Sequence, residues 1–298
     1  MSDPELAAAT DAPAAPEEVL YPTETPAAPV PPATPPPDER PAFVYALGRI
    51  EPRFPSLGVE KEVAQVLARM DTAGLTDRQA MKALLEDSDN RYLVRSLCWV
   101  FLIEGMETYI VVPRDPADLH LLIESYREEA RRDDIDVVVG VRGPLAPPDM
   151  CNGLTVPVVA FDQIYSFDRD HLLESIPLPH DLPAERADQF RSTAGGLLEQ
   201  FRQLADNAGA TDEHRAVNFL LLRSPQLYAT ATEQFDRDFA FQGVDVRTSA
   251  LSGVRSVVDV VLSFRNRESD LLEQQSARVD VTEEFPFLVS PIGPYFQR

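Results

Sequence analysis

Residues 258–264 read Val-Asp-Val-Val-Leu-Ser-Phe. Val258, Val260, Leu262 and Phe264 alternate with Asp259, Val261 and Ser263. A period of two puts one apolar row on one face of a strand. The same period returns at Val244, Val246 and Thr248 against Asp245 and Arg247, and at Ala277, Val279 and Val281 against Arg278, Asp280 and Thr282. Three half-buried antiparallel strands need a cover on their apolar face. The residues before them supply one at helical period. Phe190, Ala194, Leu197, Leu198, Phe201 and Leu204 share a helix face. Thr211 caps a further helix, and Pro225 opens another that runs to about residue 236. Gly195-Gly196 sits inside the first of these helices, where glycine implies close packing. The Pro-punctuated stretch 285–296 is read as packing outside the sheet or on a partner.

Working outward toward the amino terminus, the elements alternate. Residues 43–47 read as a short strand. Ser56 caps a helix with Val59, Val63, Val66, Leu67 and Met70 on its apolar face. Thr76 and Gln79 form a capping box for a helix over 77–86. Residues 97–103 are a buried strand that turns at Glu104-Gly105-Met106 into a second strand at 108–112. Asp115-Pro116 opens a helix with Leu119, Leu122, Ile123, Tyr126 and Ala130 on one face. Residues 135–141 and 156–161 are strands around a Pro-rich loop, 143–153. Strand–helix–strand order there fits either a βαβ crossover or mixed pairing. The fold class is therefore α+β, an N-terminal mixed α/β layer followed by a helical segment and a C-terminal antiparallel sheet. The expected divisions are a disordered tail over 1–41, an α/β subdomain over 42–176 and an α+β subdomain over 177–298.

The tail reading rests on composition. The first 40 residues hold 11 of the 27 prolines, with eight acids against one base. Such a segment has no apolar period to bury. The whole chain, 298 residues, carries 27 basic and 49 acidic side chains, a net charge of −22. That balance excludes a non-specific nucleic-acid binder and a protein that docks on anionic lipid. No basic and apolar leader opens the sequence, and its longest apolar run, 97–103, cannot span a bilayer. The expected location is cytoplasmic.

Signatures for phosphate cradles, zinc proteases, redox CxxC pairs and serine nucleophile elbows are missing from the sequence. No catalytic, cofactor-binding or metal residue is assigned, and no cofactor is expected. His120, His171, His180 and His214 stand apart from one another. Cys98 and Cys151 are too few for a disulfide scaffold and read as buried, reduced thiols. The sharper alternative makes Cys151, in its Pro- and Gly-rich loop beside Asn152, a nucleophile. His214 would then be its base, Asp212 the orienting acid and Cys98 a helper. Phe161, Tyr165 and Phe167 flank Asp162, Asp168 and Asp170. They read as core anchors or as an acidic, aromatic-lined peptide groove.

Several long strings carry a resemblance. They are Phe43-Val-Tyr-Ala-Leu-Gly-Arg-Ile-Glu-Pro-Arg-Phe-Pro-Ser56, Leu97-Cys-Trp-Val100, Glu104-Gly-Met-Glu-Thr-Tyr109 and Pro147-Pro-Asp-Met-Cys-Asn-Gly153. Further along come Phe161-Asp-Gln-Ile164, Leu204-Ala-Asp-Asn-Ala-Gly-Ala-Thr-Asp-Glu-His-Arg215 and Arg278-Val-Asp-Val-Thr-Glu-Glu-Phe-Pro-Phe287. Over about residues 42–298 the chain resembles the C-terminal domain of unknown function of cyanobactin maturation proteases of the PatA and PatG type. In that family the domain follows a subtilisin-like protease, whose Ser, His and Asp motifs this sequence lacks. The resemblance implies a stand-alone, non-catalytic accessory or scaffold protein. Its setting would be the biosynthesis of ribosomally made, post-translationally modified peptides. The implied partners are a precursor peptide or a peptide-modifying enzyme, and a homodimer is among the expected states. An interaction role in another pathway is the alternative outside that setting.

Overall fold

The computed structural model describes residues 41–131, 133–176, 178, 183–202 and 207–296. The expected tail over 1–41 falls outside them except for Pro41, as does His180. Residues 41–298 group as one compact unit.

The first half is a closed five-stranded barrel. Its strands are β1 (Phe43–Arg53), β2 (Cys98–Ile103), β3 (Met106–Pro113), β4 (Ile135–Leu145) and β5 (Pro157–Phe167), in the order β1-β2-β3-β5-β4. Every neighbouring pair is antiparallel except β3 and β5, which run parallel. Mixed pairing, not a simple βαβ unit, is thus what the strand–helix–strand order produces. Order and pairing are those of the OB-fold, the five-stranded Greek-key barrel. Between β1 and β2 lie α1 (Leu57–Leu67), α2 (Asp77–Glu86) and α3 (Arg91–Ser96). The Ser56 cap and the Thr76–Gln79 capping box both form. Between β3 and β4, Asp115 caps a single 3₁₀ turn and α4 spans only Leu119–Ser125. Ala130 lies outside that helix. The chain leaves it because Arg127 reaches Asp136 at 3.1 Å and the Phe167 carbonyl at 3.1 Å.

Barrel strands β1 and β4 are covered on both faces. Val44, Ala46, Ile50 and Val138 fill the interior with Trp99, Phe101, Tyr109, Val111 and Phe161. Tyr45, Ile135, Val137 and Val139 point outward into a second core. This explains the dense β-branched run at 135–141: a strand buried on both sides needs no polar face. The second core is completed by helices and by a sheet. The helices are α5 (Arg169–Ser175), α6 (Ala187–Arg202), α7 (Asp212–Arg223) and α8 (Pro225–Asp236). The sheet has the order β6 (Phe239–Thr248), β7 (Val257–Asn266), β8 (Leu272–Asp280) and β9 (Phe287–Pro294), all antiparallel. The carboxyl stretch read as lying outside the sheet is therefore its fourth strand. Pro291 and Pro294 are tolerated because β9 is an edge. Close packing does not explain Gly196, which is exposed and has nothing within 4 Å of where a Cβ would sit.

Residues 207–210 join the two halves. Gly209 accepts a hydrogen bond from the Tyr45 amide at 2.9 Å, and Ala208 accepts one from the Tyr109 hydroxyl at 2.8 Å. Gly209 has φ +68, and a Cβ there would come within 2.5 Å of the Tyr45 carbonyl oxygen. Only glycine meets both conditions.

Candidate functional site

An open cleft of about 610 Å³ lies where the barrel meets the loop after β8. Phe43, Val141 and Ala160 of the barrel form one wall, and Glu283, Glu284 and Phe285 of the loop form the other, with Arg114 between them. Phe285 is 50% exposed. Phe287 and Val289, which follow it on β9, are likewise exposed.

The polar groups of the cleft form a chain. Arg114, just past the end of β3, places Nη1 2.7 Å from Asp162 Oδ2 and 3.6 Å from Glu284 Oε2. Its backbone amide donates to the Phe161 carbonyl at 3.0 Å, which fixes its origin against β5. Glu284 Oε1 is buried without a hydrogen-bond partner among the described residues. Burial, and then the neighbouring Asp162 carboxylate, push the Glu284 carboxyl up to about 7. The Arg114 and Arg215 charges act in the opposite direction. Near neutral pH this carboxyl exchanges between a hydrogen-bond donor and a charged acceptor.

Arg215 of α7 holds the loop from beneath. Its guanidinium is buried and donates to the carbonyls of Val281 at 2.8 Å, Glu283, and Glu284 at 3.3 Å. It lies 5.1 Å from the Phe43 ring centroid and 3.5 Å from Asp212 Oδ1. Burial lowers its pKa, and the nearby acids oppose that shift. A buried guanidinium that satisfies main-chain carbonyls acts as a clamp. What the cleft offers a ligand is two aromatic walls, an exposed guanidinium and a proton-exchanging carboxyl.

The residues singled out from sequence fall into three places. Asp162 and Asp212 come to opposite ends of the Arg114–Glu284–Arg215 chain. His214 is half-buried in the first turn of α7, where its amide donates to the capping Thr211 hydroxyl at 3.2 Å. Tyr165 is elsewhere, stacked on Phe167 at 6.4 Å with the Arg223 guanidinium 4.7 Å from its ring. Phe161 is fully buried. The aromatic walls of the cleft are therefore Phe43 and Phe285. Sequence reading missed both, together with Arg114, Glu284 and Arg215. Phe43, Glu284, Phe285 and Arg215 fall within the strings quoted above, and Phe285 also opens the stretch 285–296, whereas Arg114 lies outside them and had no signal.

Cys98 and Cys151 form the third place, and here two expectations are corrected. The two are not reduced thiols but a disulfide, with Cα atoms 5.7 Å apart. Bonded to Cys98 and fully buried, Cys151 has no free thiolate in this structure to serve as the nucleophile with His214 and Asp212. Asn152, next in the loop, is exposed with φ +46. Pairing across 53 residues has no local sequence signature. Among the described residues, no group of three or more His, Cys, Asp or Glu side chains could hold a metal ion. Nor is any described helix long and apolar enough to cross a membrane.

Comparison with known proteins follows this division of the chain. The family model for the PatG domain matches residues 43–145, and that for the PatG C-terminal region matches residues 184–295. The chain belongs to the PatG-domain family. The first match covers β1 to β4 of the barrel. The second covers the helical layer from α6 onward and the four-stranded sheet. A solved structure described as "PatG Domain of Unknown Function" is similar to this PatG-domain chain, with a TM-score of 0.67 and 21% identity. The similarity spans 86% of this chain and 99% of that one, and at this identity it bears on the fold. No curated protein matches the chain.

Proposed function

We propose that this protein is a non-catalytic accessory component in the biosynthesis of ribosomally made, modified peptides of the cyanobactin type. In this reading it holds an extended peptide in the cleft between Phe43 and Phe285. Membership in the PatG-domain family is consistent with that setting. The observation that carries the reading is the pairing of the half-buried Phe43 and the exposed Phe285 with Arg114 and Glu284. Isolated exposed apolar residues are ordinary, but an aromatic-walled cleft with convergent polar groups is the usual form of a binding site. Arg114 can take a peptide carboxylate, and Glu284 can meet a backbone carbonyl or amide. Such recognition tolerates varied side chains. Calorimetric titration with a synthetic cyanobactin-type precursor peptide tests it. Saturable binding that Phe285→Ala weakens about tenfold supports the cleft. Absence of binding at millimolar peptide refutes it.

One observation favours a second reading, in which the partner is another copy of the chain. Strand β6 is a proline-free edge with β7 on one side and no strand on the other among the described residues. Asp245 and Arg247 flank Val246 and pair with each other, Nε to Oδ2 at 2.5 Å. In an antiparallel pairing of two β6 strands centred on Val246, each Asp245 would face the Arg247 of the other copy. Sedimentation tests this. Asp245→Arg abolishes such a dimer, and adding Arg247→Asp restores it.

A further inference from the structure

Outside the cleft, the β4–β5 loop over residues 146–156 lies against the outer wall of the barrel. Cys98, Val100 and Leu102 of β2, Ile110 and Val112 of β3 and Val158 of β5 form that wall. Ala146, Met150, Cys151, Leu154 and Val156 cover it, making a small core separate from the barrel interior. The loop's hydrogen bonds run within itself. Ala146 donates to Val156 at the neck (2.9 Å), Met150 to Pro147 (3.0 Å), Gly153 to Pro148 (2.7 Å) and Leu154 to Cys151 (3.0 Å). Among the described residues, no hydrogen bond ties 147–155 to the wall. The loop is thus a self-braced lobe of the Ω kind. Apolar contact and one covalent bond, Cys98–Cys151, hold it down.

We propose that Cys98–Cys151 is a thiol–disulfide exchange site, at which a dithiol reductant releases this loop from the barrel wall. Cys98 lines a second cavity, of about 320 Å³, together with Met150, Ile110 and Val112, so the reductant approaches from the Cys98 side. A reductant thiolate attacks Cys98 Sγ. The bond to Cys151 breaks, and Cys151 leaves as a thiolate that takes a proton from water as the loop lifts. The second thiol of the reductant then attacks the mixed disulfide. Cys98 is released as a thiol, and the reductant departs as its own disulfide. The protein gains two electrons and two protons, and the dithiol loses them. Release uncovers Val100, Leu102, Ile110, Val112 and Val158. In OB-type barrels the outer face of the second and third strands, beside the loop between the fourth and fifth, is where ligands are taken. The disulfide therefore latches a cover over the wall that this topology uses for binding.

The test compares the oxidised full chain with the chain held in dithiothreitol, by hydrogen exchange and by fluorescence of an apolar dye. Reduction is expected to speed amide exchange at 149–154 by about tenfold or more and to raise dye binding, with exchange in β6–β9 unchanged. The Cys98→Ser/Cys151→Ser chain is expected to match the reduced protein and to ignore dithiothreitol. Three results overturn the proposal. They are a disulfide that resists reduction while the chain is folded, a reduced chain whose loop exchanges as slowly as before, and reduction that unfolds barrel and sheet together.

Discussion

The side-chain amide of Asn218 donates to the main-chain carbonyl of Tyr45 at 2.8 Å, across 173 residues of sequence. This buried bond ties α7 to β1, and so the helical layer to the barrel. Asn207 completes it, donating to Asn218 Oδ1 at 2.6 Å and accepting from its Nδ2 at 3.1 Å. Removing the amide leaves a buried carbonyl unpaired. Asn218→Ala is expected to lower stability by about 1–3 kcal/mol. Urea denaturation measures it.

Gly209 lies on the same seam. Any side chain there meets both a left-handed backbone and the Tyr45–Ala46 main chain. Gly209→Ala is expected to cost about 2–4 kcal/mol, combining backbone strain with overpacking. Gly196→Ala, on the exposed face of α6, is the matched control. It is expected to be neutral or stabilising, since alanine is the better helix former. Thermal unfolding of the pair separates the two cases.

The difference between those two glycines shows what could be read from sequence. Helix starts were legible because Ser56, Thr76 and Thr211 act through bonds to residues three positions away. Strands β7 and β8 were legible because one face is an unbroken apolar row, Val258 to Phe264 on β7 and Ala277 and Val279 on β8, while the other face carries mostly polar residues. Strand β4 is buried on both faces, so its residues announce a strand but not its neighbours. Barrel closure, the Cys98–Cys151 bond and the Arg215 clamp depend on partners at least 45 residues away. The C-terminal strand was hidden by Pro291 and Pro294, which only an edge position reconciles with a sheet.

Arg215 is expected to be the most sensitive position of the cleft. Arg215→Met keeps the stem but leaves the carbonyls of Val281 and Glu283 without their donor. The expected loss is about 2–4 kcal/mol, with faster amide exchange in 281–285. Arg215→Lys supplies a charge but not the fork geometry, and is expected to recover only part of it. Denaturation with exchange mass spectrometry reads both effects.

Glu284 sets a pH dependence. Its carboxyl is raised from 4.5 to about 7 in the folded chain, so the folded state holds its proton where the unfolded state has lost it. Its contribution to stability is fully present below about pH 4.5 and is lost as pH rises through about 7. Glu284→Gln removes that slope. The variant is expected to gain on the parent from pH 5 to about pH 7 in urea titrations and to level off above it. Parallel stability curves for the two proteins would show that the carboxyl does not couple to folding.

The peptide-holding role is tested most directly by a footprint. Hydrogen exchange of the full chain is followed with and without a saturating synthetic cyanobactin-type precursor peptide. Slowed exchange confined to 42–44 and 283–287, and lost in Arg114→Ala, is the expected result. Protection along 239–248 instead, or no protection at any peptide concentration, would contradict it.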